Sequence, residues 1–567
     1  MASAQKGDHG EEWRLGIELG DDREHTFDAE SPAAPERNLS RERLERALHV
    51  VTLENLGWVA IAAYATLTRL IALGARPLDP IEAGHALYAF DLASPGTHAA
   101  AGNHPAYAGW IHLLTAGFFE VSGANDFTAR IVFALSGLLL IAMAFQLRHY
   151  VGRAGGLALG AMLALSPSVT WFSRASATVM PAAAMALVTI AVFMALKARP
   201  SAGRATALGL FSGLMIAANP VGLVTGVIFI AALIPIGLWE FVTGKNAGLA
   251  IRVWLDRYSK LLVIVIVVAA FACGLSQLMV PGGWDSAEID RGVRVLLGGG
   301  GQPGFIAGLR FYLPLLTLYE FMIAIAGLFG AVAIVTVRIR SRCASWGLIW
   351  AALSVAFFLW TPMRNAESIL AILVPAAVVG AIGIDWLHHS DVWRLIRLPL
   401  AVLAAITLYA GVIGNFICAA PDASEAPWAR HANLLWGADA TTEQARLYAR
   451  QAGAGISPAS ATVFFNGEVA APLRWYLRNL RPLRAADAAT VIVSASAPTS
   501  PESQPAAIYH FDYAEGWLPN FGTAEPSDVM RFLLSGRIWG PVTTKDITIL
   551  VRKPSASAPT VILTPGH

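Results

Sequence analysis

Long runs of apolar residues constrain this chain more than any other feature. A helix needs about 20 largely apolar residues to cross the hydrocarbon core of a bilayer. Measured against that length, the sequence contains eleven candidate spans, at residues 51–74, 127–147, 155–172, 179–196, 205–219, 221–241, 260–281, 310–337, 344–361, 366–387 and 398–419. The composition agrees, since 55% of the 567 residues are hydrophobic and only 14% are charged, against about a quarter charged in soluble domains. We therefore predict a polytopic α-helical membrane protein with about 11 transmembrane helices.

Charge and cysteine content argue against two other classes of protein. The formal net charge is +2, and the charges are scattered between apolar blocks rather than collected into the basic stripe of a nucleic-acid binder. Cys273, Cys343 and Cys418 are far apart and lie in apolar surroundings. They are typical of small buried hydrophobic residues, not of a disulfide framework or a zinc site.

The orientation follows from the basic residues, because cytoplasmic loops carry an excess of Lys and Arg. If residues 1–50 are cytoplasmic, five short loops share that side, and they contain Arg148/Arg153, Lys197/Arg199/Arg204, Lys245/Arg252/Arg257/Lys260, Arg338/Arg340/Arg342 and Arg394/Arg397. The other side then receives residues 75–126, 173–178, 282–309, 362–365 and everything after 420. We predict a multi-pass cell-membrane protein with a cytoplasmic N-terminus and an extracytoplasmic C-terminal region.

Three regions differ in composition. Residues 1–48 are rich in charge, Pro and Ser, which predicts a flexible cytoplasmic tail. Residues 49–420 form the transmembrane domain, and an apolar piece at 107–121 predicts a juxtamembrane helix in the first outer loop. Residues 421–567 are less hydrophobic, with strand-like runs at 461–465, 490–494 and 547–552, a helical stretch at 469–479 and a loop at 495–505. This pattern predicts a small extracytoplasmic α/β domain.

The stretch RPLDPIEAGHALYAF, residues 76–90, presents three polar side chains directly after the first span. Pro80 is typical of a first helical turn, and Asp79 before it is typical of an N-cap. Glu82 and His85 are three residues apart, so a helix places them on one face. Asp79 therefore has a capping interpretation, and Glu82 in the first turn has one through the helix dipole. Their alternative role is acid or base chemistry.

Four further residues are candidates for binding. His104 precedes Pro105 and either shapes a turn or lines a site, while Arg130 begins the second span, Arg174 follows the third and Arg364 lies in the turn TPMRN. Arginines at a membrane face often snorkel to the headgroups. On the outer side, however, they are also suited to a lipid phosphate, because the guanidinium fork matches phosphate geometry.

The order of PIEAGHA, NHPAYAGWIHLL, DFTARIVFALSGLLL and ALSPSVTWFSRAS resembles the GT-C membrane glycosyltransferases, particularly the protein O-mannosyltransferases and aminoarabinose transferases of the glycosyltransferase family 39-like group. The resemblance covers residues 50–390. The segments GLRFYLPLLTLYEF, AAPLRWYLRNLRPL and VMRFLLSGRIWGP with ITILVRK are similar to a bacterial and archaeal flippase-activity-associated subfamily linked to protein glycosylation. They extend the resemblance through the C-terminal domain.

The resemblance implies a GT-C-like fold and a sugar donor linked to polyprenyl phosphate. It also implies an acceptor, whether protein, lipid or glycan, at the extracytoplasmic face, and an inverting transfer. By position, Glu82 matches the family's first-loop base, His85 and His104 the pocket histidines, and Arg130 and Arg174 the motif arginines. Where the family has an aspartate before this glutamate, this chain has Ile81.

With Ile81 unable to act as a base, Glu82 is the favoured general base, and Asp79 is the alternative. His85 and His104 would line the sugar or acceptor pocket, and Arg174 or Arg364 would meet the phosphate. The phosphate leaves as an anion, so no cofactor is required. Asp285, Glu288 and Asp290 could hold a divalent cation, although their mixed spacing favours a solvated loop.

Two other functions stay open from the residues alone. A non-catalytic relative could bind a lipid-linked glycan or assist its flipping, and the replacement by Ile81 is compatible with that. A transporter is less consistent, because the sequence lacks a convincing internal repeat and has few ionisable residues within its spans.

Overall fold

The computed structural model describes residues 52–94, 107–243, 247–279, 304–337, 339, 342–362, 365–419, 443–454, 462–466, 471–483, 489–494, 505–516, 522–535, 539–540 and 543–552. By its internal contacts the chain divides into Met1–Thr52 and Leu53–His567. Only Thr52 of the first unit is described, so the architecture below is that of the second.

Fifteen described α-helices precede the C-terminal region. They are α1 (Leu53–Leu70), α2 (Pro80–Ala93), α3 (Gly109–Ser122), α4 (Ile131–Val151), α5 (Arg153–Leu165), α6 (Pro167–Arg174), α7 (Val179–Ala198), α8 (Ala202–Ala218), α9 (Pro220–Thr243), α10 (Ala247–Leu278), α11 (Phe305–Pro314), α12 (Phe321–Thr336), α13 (Arg342–Trp360), α14 (Ile369–His389) and α15 (Val392–Ala419). A π-helical turn (Leu315–Tyr319) follows α11, and a 3-10 turn (Ala366–Ser368) precedes α14.

The helical membrane class is confirmed. Within the described residues, five helices are long and apolar enough to cross a membrane, and seven are if each of two bent helix pairs counts as one span. Every predicted span overlaps a helix or a bent pair. Several of these helices are too short or too sharply bent to be counted by length, so the number eleven stays a prediction. The predicted juxtamembrane piece forms α3.

The two bent pairs meet at one buried carboxylate. The α5–α6 pair bends by 58°, and the pair formed by α11 with its π-helical turn and α12 bends by 103°. Glu320 lies at the second bend, and its Oε1 accepts hydrogen bonds from Ser166 Oγ and Ser168 N at the first bend, both at 2.7 Å. A broken helix in an apolar bundle needs such polar partners for its exposed backbone groups. Apolarity alone did not predict either bend.

Small residues allow α12 and α14 to pack closely. A Cβ added at Gly330 would lie 2.1 Å from the carbonyl oxygen of Val379, and Gly380 and Gly383 face the same contact from α14. Close backbone approach through glycine is a common way for membrane helices to associate, because it increases van der Waals contact. α14 is the most enclosed of the candidate spans, with 83% of its apolar window buried.

The C-terminal region contains helices and one sheet. Its elements are α16 (Glu443–Ala454), β1 (Thr462–Asn466), α17 (Ala471–Tyr476), β2 (Arg481–Pro482), β3 (Val491–Ser494), β4 (Pro505–Gly516), α18 (Pro526–Ser535) and β5 (Thr543–Arg552). The strand order is β2-β1-β3-β5-β4. β1 is parallel to β2 and β3, whereas β5 is antiparallel to β3 and β4, with Val463 opposite Val491 and Val491 opposite Val551.

The predicted strands at 461–465, 490–494 and 547–552 and the helical stretch at 469–479 correspond to β1, β3, β5 and α17. β4 was not predicted. The loop at 495–505 lies outside the described residues except for its last position. The domain boundaries at 48 and 420 stay predictions, because the contacts place α1 to β5 in one compact unit.

Candidate active site

The connection between α1 and α2 is held by arginines. Arg174 donates to the carbonyl oxygens of Ile71 (2.8 Å) and Ala72 (3.0 Å), as well as to Thr68 at the end of α1 (2.7 Å). Arg130 donates to those of Leu73 (3.1 Å), Arg76 (2.6 Å) and Pro77 (2.9 Å). Arg446 of α16 donates to those of Gly74 (3.5 Å) and Ala75 (3.0 Å). Every carbonyl from residue 71 to 77 thus accepts from an arginine.

This arrangement fixes a loop that has no regular structure of its own. Buried backbone groups cost free energy unless they find partners, and here three charged donors supply them. We call residues 71–79 the arginine-held loop. Its last residue is Asp79, so the position of that carboxylate is defined by the same contacts.

Glu82 is enclosed by donors. Arg130 approaches it with two nitrogens, Nε to Oε1 at 2.8 Å and Nη2 to Oε2 at 2.6 Å, which is the bidentate geometry of a strong ion pair. Arg76 Nη2 (3.0 Å) and the backbone N–H groups of Asp79 (3.0 Å) and Ser176 (2.9 Å) complete the set. Only 2% of the Glu82 residue surface is exposed.

These contacts set the protonation of Glu82. Burial acts to raise its pKa, but the charges of Arg130 and then Arg76 outweigh burial and lower the pKa to about 2. Glu82 is therefore a stable carboxylate with its lone pairs occupied. Such a group is a weak proton acceptor, and its arrangement is that of a structural ion pair.

Asp79 has the opposite environment. It caps α2, with its Oδ1 accepting from the backbone N–H of Glu82 at 2.8 Å, and it forms a reciprocal capping box with Glu82. No described residue donates a hydrogen bond to its Oδ2. Burial, followed by the negative charge of Glu82, raises the pKa of Asp79 to about 7, against the smaller effects of Arg76 and Arg130. A carboxylate titrating near neutral pH with one open oxygen is suited to general base chemistry.

His85 lies one helical turn after Glu82 and contacts His112 of α3. His85 Nδ1 and His112 Nε2 are 2.8 Å apart, and the two rings stack with centroids 5.0 Å apart. Burial lowers the pKa of His85 to about 4, although the charge of Glu82 opposes this. Burial and then His85 lower the pKa of His112 well below its usual range. Both rings are thus neutral near pH 7, so one ring donates its N–H to the unprotonated nitrogen of the other.

The structure brings together five of the seven predicted site residues. Glu82, Asp79 and Arg130 share one network, His85 lies on the same helix face as Glu82, and Arg174 holds the same loop. His104 and Arg364 lie outside the described residues, as do the predicted cation-binding candidates Asp285, Glu288 and Asp290.

Two arginines predicted to face lipid lie inside the protein. Arg130 and Arg174 are both buried: Arg130 donates to carbonyl oxygens and to Glu82, and Arg174 donates to carbonyl oxygens. Neither arginine is snorkelling, and a phosphate-binding role for either stays a prediction without support from these contacts. Ile81, directly before Glu82, is 51% exposed, whereas Glu82 is 2% exposed.

Asp126 is a residue of this site that sequence reasoning missed. Asp126 precedes α4, and its carboxylate accepts from Trp475 Nε1 at 2.7 Å and from the Tyr476 hydroxyl at 3.3 Å, with Arg446 Nη1 also at 3.3 Å. Tyr476 in turn accepts from the backbone N–H of Leu78, next to Asp79, at 2.9 Å. The motif PLRWYLR carried the resemblance to the family, but nothing in the sequence indicated its partner.

Asp126 therefore joins α17 to the arginine-held loop. We expect Asp126→Ala to lower the free energy of unfolding by about 1–3 kcal/mol, because it leaves the buried Trp475 N–H without its acceptor. Thermal unfolding of the purified protein in detergent, followed by tryptophan fluorescence, measures this. Glu120→Ala is the control, since Glu120 is an exposed carboxylate on α3 and surface substitutions usually change stability little. Equal midpoints for the two variants would contradict the role of Asp126.

Comparison with known proteins identifies the fold. No protein-family model and no curated protein sequence matches the chain. Among solved structures, ArnT from Cupriavidus metallidurans, both in the apo state and bound to undecaprenyl phosphate, superposes with a TM-score of 0.53 at 17% identity, covering 76% of this chain and 87% of ArnT. The oligosaccharyltransferase AglB from Archaeoglobus fulgidus, in complex with an inhibitory peptide and a dolichol-phosphate, has a TM-score of 0.46 at 12% identity over 76% of this chain and 64% of AglB. The superposition with ArnT shows that this chain has the fold of the GT-C membrane glycosyltransferases.

Proposed function

We propose that this protein is an inverting membrane glycosyltransferase. It transfers a sugar from a polyprenyl-phosphate donor to an acceptor hydroxyl at the extracytoplasmic face, with Asp79 as the general base. The observation that carries the proposal is the open oxygen of Asp79 at the end of the arginine-held loop, in a chain with the GT-C fold. The structure of ArnT bound to undecaprenyl phosphate supports a lipid-phosphate donor. The predicted orientation of the basic loops supports the face.

In this reaction Asp79 Oδ2 accepts the proton of the acceptor hydroxyl. The acceptor oxygen then forms a bond to the anomeric carbon, and the bond from that carbon to the phosphate oxygen breaks. The phosphate takes the electron pair and leaves as polyprenyl phosphate. No cofactor or metal ion is part of this proposal, because the leaving group departs as a stable anion.

The arginines have two different roles in the proposal. Arg130 and Arg174 position Asp79 through the loop carbonyls. Arg76 has 18% of its side chain exposed, against 1% for Arg130, and it stacks over Trp171 with 3.9 Å between its Cζ and the ring centroid. A partly exposed guanidinium close to the base is suited to the leaving phosphate. We assign that contact to Arg76, together with Arg364 from the sequence.

The choice of Asp79 over Glu82 differs from the preference that the sequence indicates. Glu82 matches the family motif, but five donors occupy its two oxygens. The structure therefore favours Asp79 as the base. Glu82 is then a structural carboxylate that anchors Arg130 and Arg76.

The rate of transfer should depend on pH in a way that separates the two carboxylates. A base must be deprotonated to act, so a base with a pKa of about 7 gives a rate that falls about tenfold per pH unit below 7. A base with the pKa of Glu82, about 2, would give a flat rate from pH 5 to 8. The measurement is the initial rate across that range. In Arg76→Gln the fall in rate should begin at a higher pH, because the substitution removes a positive charge that lowers the Asp79 pKa. A flat profile would contradict the assignment.

The function itself is tested by purified protein in lipid vesicles. The vesicles receive undecaprenyl-phosphate-linked hexoses and a panel of peptide, lipid and glycan acceptors, and release of polyprenyl phosphate is measured. We expect release that depends on an acceptor. Donor binding without release under every condition would favour the non-catalytic relative, and donor movement across the bilayer without release would favour a flipping function.

A further inference from the structure

A second group of polar residues lies beside the histidine pair. Tyr107 precedes α3, Thr178 is the N-cap of α7, Asn219 joins α8 to α9, and Glu367 lies in the 3-10 turn before α14. We call these four residues the rim cluster. Each lies at a helix start, so four separate elements of the bundle converge there. Nothing in the sequence motifs singled them out.

Asn219 organises the rim cluster. Its Nδ2 donates to Thr178 Oγ1 at 2.7 Å and to Glu367 Oε2 at 3.2 Å, while its Oδ1 accepts from the backbone N–H of Val221 at 2.8 Å. The bond from Val221 requires the amide oxygen on that side, which defines the orientation of the amide. Asn219 is buried, with 3% of its surface exposed. It therefore holds one oxygen of Glu367 in a fixed position.

The second carboxylate oxygen of Glu367, Oε1, is not involved in the bond from Asn219. No described residue donates a hydrogen bond to Oε1, and Glu367 as a whole is only half-buried. Tyr107 lies beside it: burial, followed by the charge of Glu367, raises the pKa of Tyr107 well above its usual range. The hydroxyl of Tyr107 thus keeps its proton and can donate.

The rim cluster adjoins the candidate active site through Tyr107. The ring centroids of Tyr107 and His85 are 6.4 Å apart, and His85 lies on the helix that Asp79 caps. Tyr107 therefore places the rim cluster next to the histidine pair of the candidate active site.

A small apolar cavity lies directly under the rim cluster. Its lining includes Val179, Val221 and Leu370. In the chain these residues follow Thr178, Asn219 and Glu367, respectively, by one, two and three positions. It has room for little more than one water molecule, so no prenyl chain fits there. A ligand of the rim cluster therefore lies outside this cavity.

The chemistry of the rim cluster selects the ligand. Burial raises the pKa of Glu367 to about 7, and in its deprotonated form it would repel a carboxylate or a phosphate next to Oε1. An ammonium group would satisfy Glu367 but offers no acceptor for the Tyr107 hydroxyl, since it only donates. A sugar hydroxyl both donates and accepts, so it can satisfy both residues at once.

We propose that the rim cluster is the subsite for the transferred sugar. Glu367 Oε1 accepts a hydrogen bond from a ring hydroxyl of the sugar, and Tyr107 donates one to the same hydroxyl or to its neighbour. The subsite rests on the proposed function, because it names which part of that substrate these residues bind.

The test uses Glu367→Gln and Tyr107→Phe with a panel of undecaprenyl-phosphate-linked hexoses and their monodeoxy analogues. Removing a hydrogen bond to a charged group should lower kcat/KM about 10- to 100-fold for the hexose with the bound hydroxyl. With the deoxy analogue that lacks this hydroxyl, the variant and the wild type should have similar, low kcat/KM. Glu120→Gln is the matched control, since Glu120 is an exposed carboxylate on α3.

Two results would overturn the subsite. One is an equal kcat/KM for Glu367→Gln and the wild type with every donor; the other is a loss confined to amino-sugar donors, which would assign an ammonium ligand instead. If the wild type turns over no donor, the proposed function fails. Equilibrium binding of the same hexose donors then tests the subsite separately. Weaker binding by Glu367→Gln than by the wild type would support the subsite, and equal binding would contradict it.

Discussion

Replacing Asp79 by Asn should reduce the rate of sugar transfer by about 10²- to 10⁴-fold, the usual contribution of a general base. The amide keeps the size of the side chain and can still accept from the Glu82 N–H through its oxygen, so the cap on α2 persists. What it lacks is a lone pair basic enough to take the acceptor proton. The loss should therefore lie in kcat, with donor binding and the unfolding midpoint close to those of the wild type. The measurement is single-turnover release of polyprenyl phosphate.

Asp91→Asn provides the control for this change. Asp91 lies on the same helix, outside the arginine-held loop and the ion pair of Glu82, and its substitution should leave the rate near that of the wild type. If Asp79→Asn retains full turnover while Asp91→Asn does as well, neither carboxylate is the base. Glu82, with its motif position, would then have to be reconsidered.

Glu82→Gln should act mainly on folding. Removing one partner of a buried ion pair leaves the other charge uncompensated, which costs about 3–5 kcal/mol. Here the charge left behind is that of Arg130, with 1% of its side chain exposed. We expect a lower unfolding midpoint and a smaller yield of folded protein in detergent. Any remaining activity should follow the folded fraction.

A double-mutant cycle separates the ion pair from other effects. Arg130→Met and Glu82→Gln together should destabilise the protein less than the sum of the single changes, because the pair contacts each other directly. Additive effects would show that the two residues do not stabilise the fold as a pair. A Glu82→Gln variant that unfolds like the wild type but has no turnover would assign the base to Glu82.

The elements of this fold could largely be predicted from local pattern. Apolar length indicated the membrane helices, and alternation of apolar residues indicated β1, β3 and β5. Asp79 before Pro80 indicated the start of α2, which the structure confirms with a full capping box. These features depend on neighbours in sequence, so a single sequence contains them. The bends at Ser166 and Glu320 do not, because each depends on a partner about 150 residues away.

The site required contacts that no local pattern shows. The sequence placed Asp79 and Glu82 together but could not tell which was enclosed by donors, since that depends on Arg130, 48 residues away. From the sequence, Arg130 and Arg174 were expected to contact lipid headgroups or a lipid phosphate. In the fold they donate hydrogen bonds to the carbonyl oxygens of the arginine-held loop. The link between Asp126 and Trp475 spans 349 residues. Burial and long-range pairing decide such roles, and a motif records only the residue types.

The measurement that tests this account most directly is the molar balance of the reaction. Purified wild-type protein in vesicles is given one undecaprenyl-phosphate-linked hexose and an acceptor that supports turnover, and both products are quantified over time. We expect one polyprenyl phosphate released for each sugar joined to the acceptor, with both products formed about 10²- to 10⁴-fold more slowly by Asp79→Asn. Bound donor that is never cleaved, or release that continues unchanged in Asp79→Asn, would contradict it.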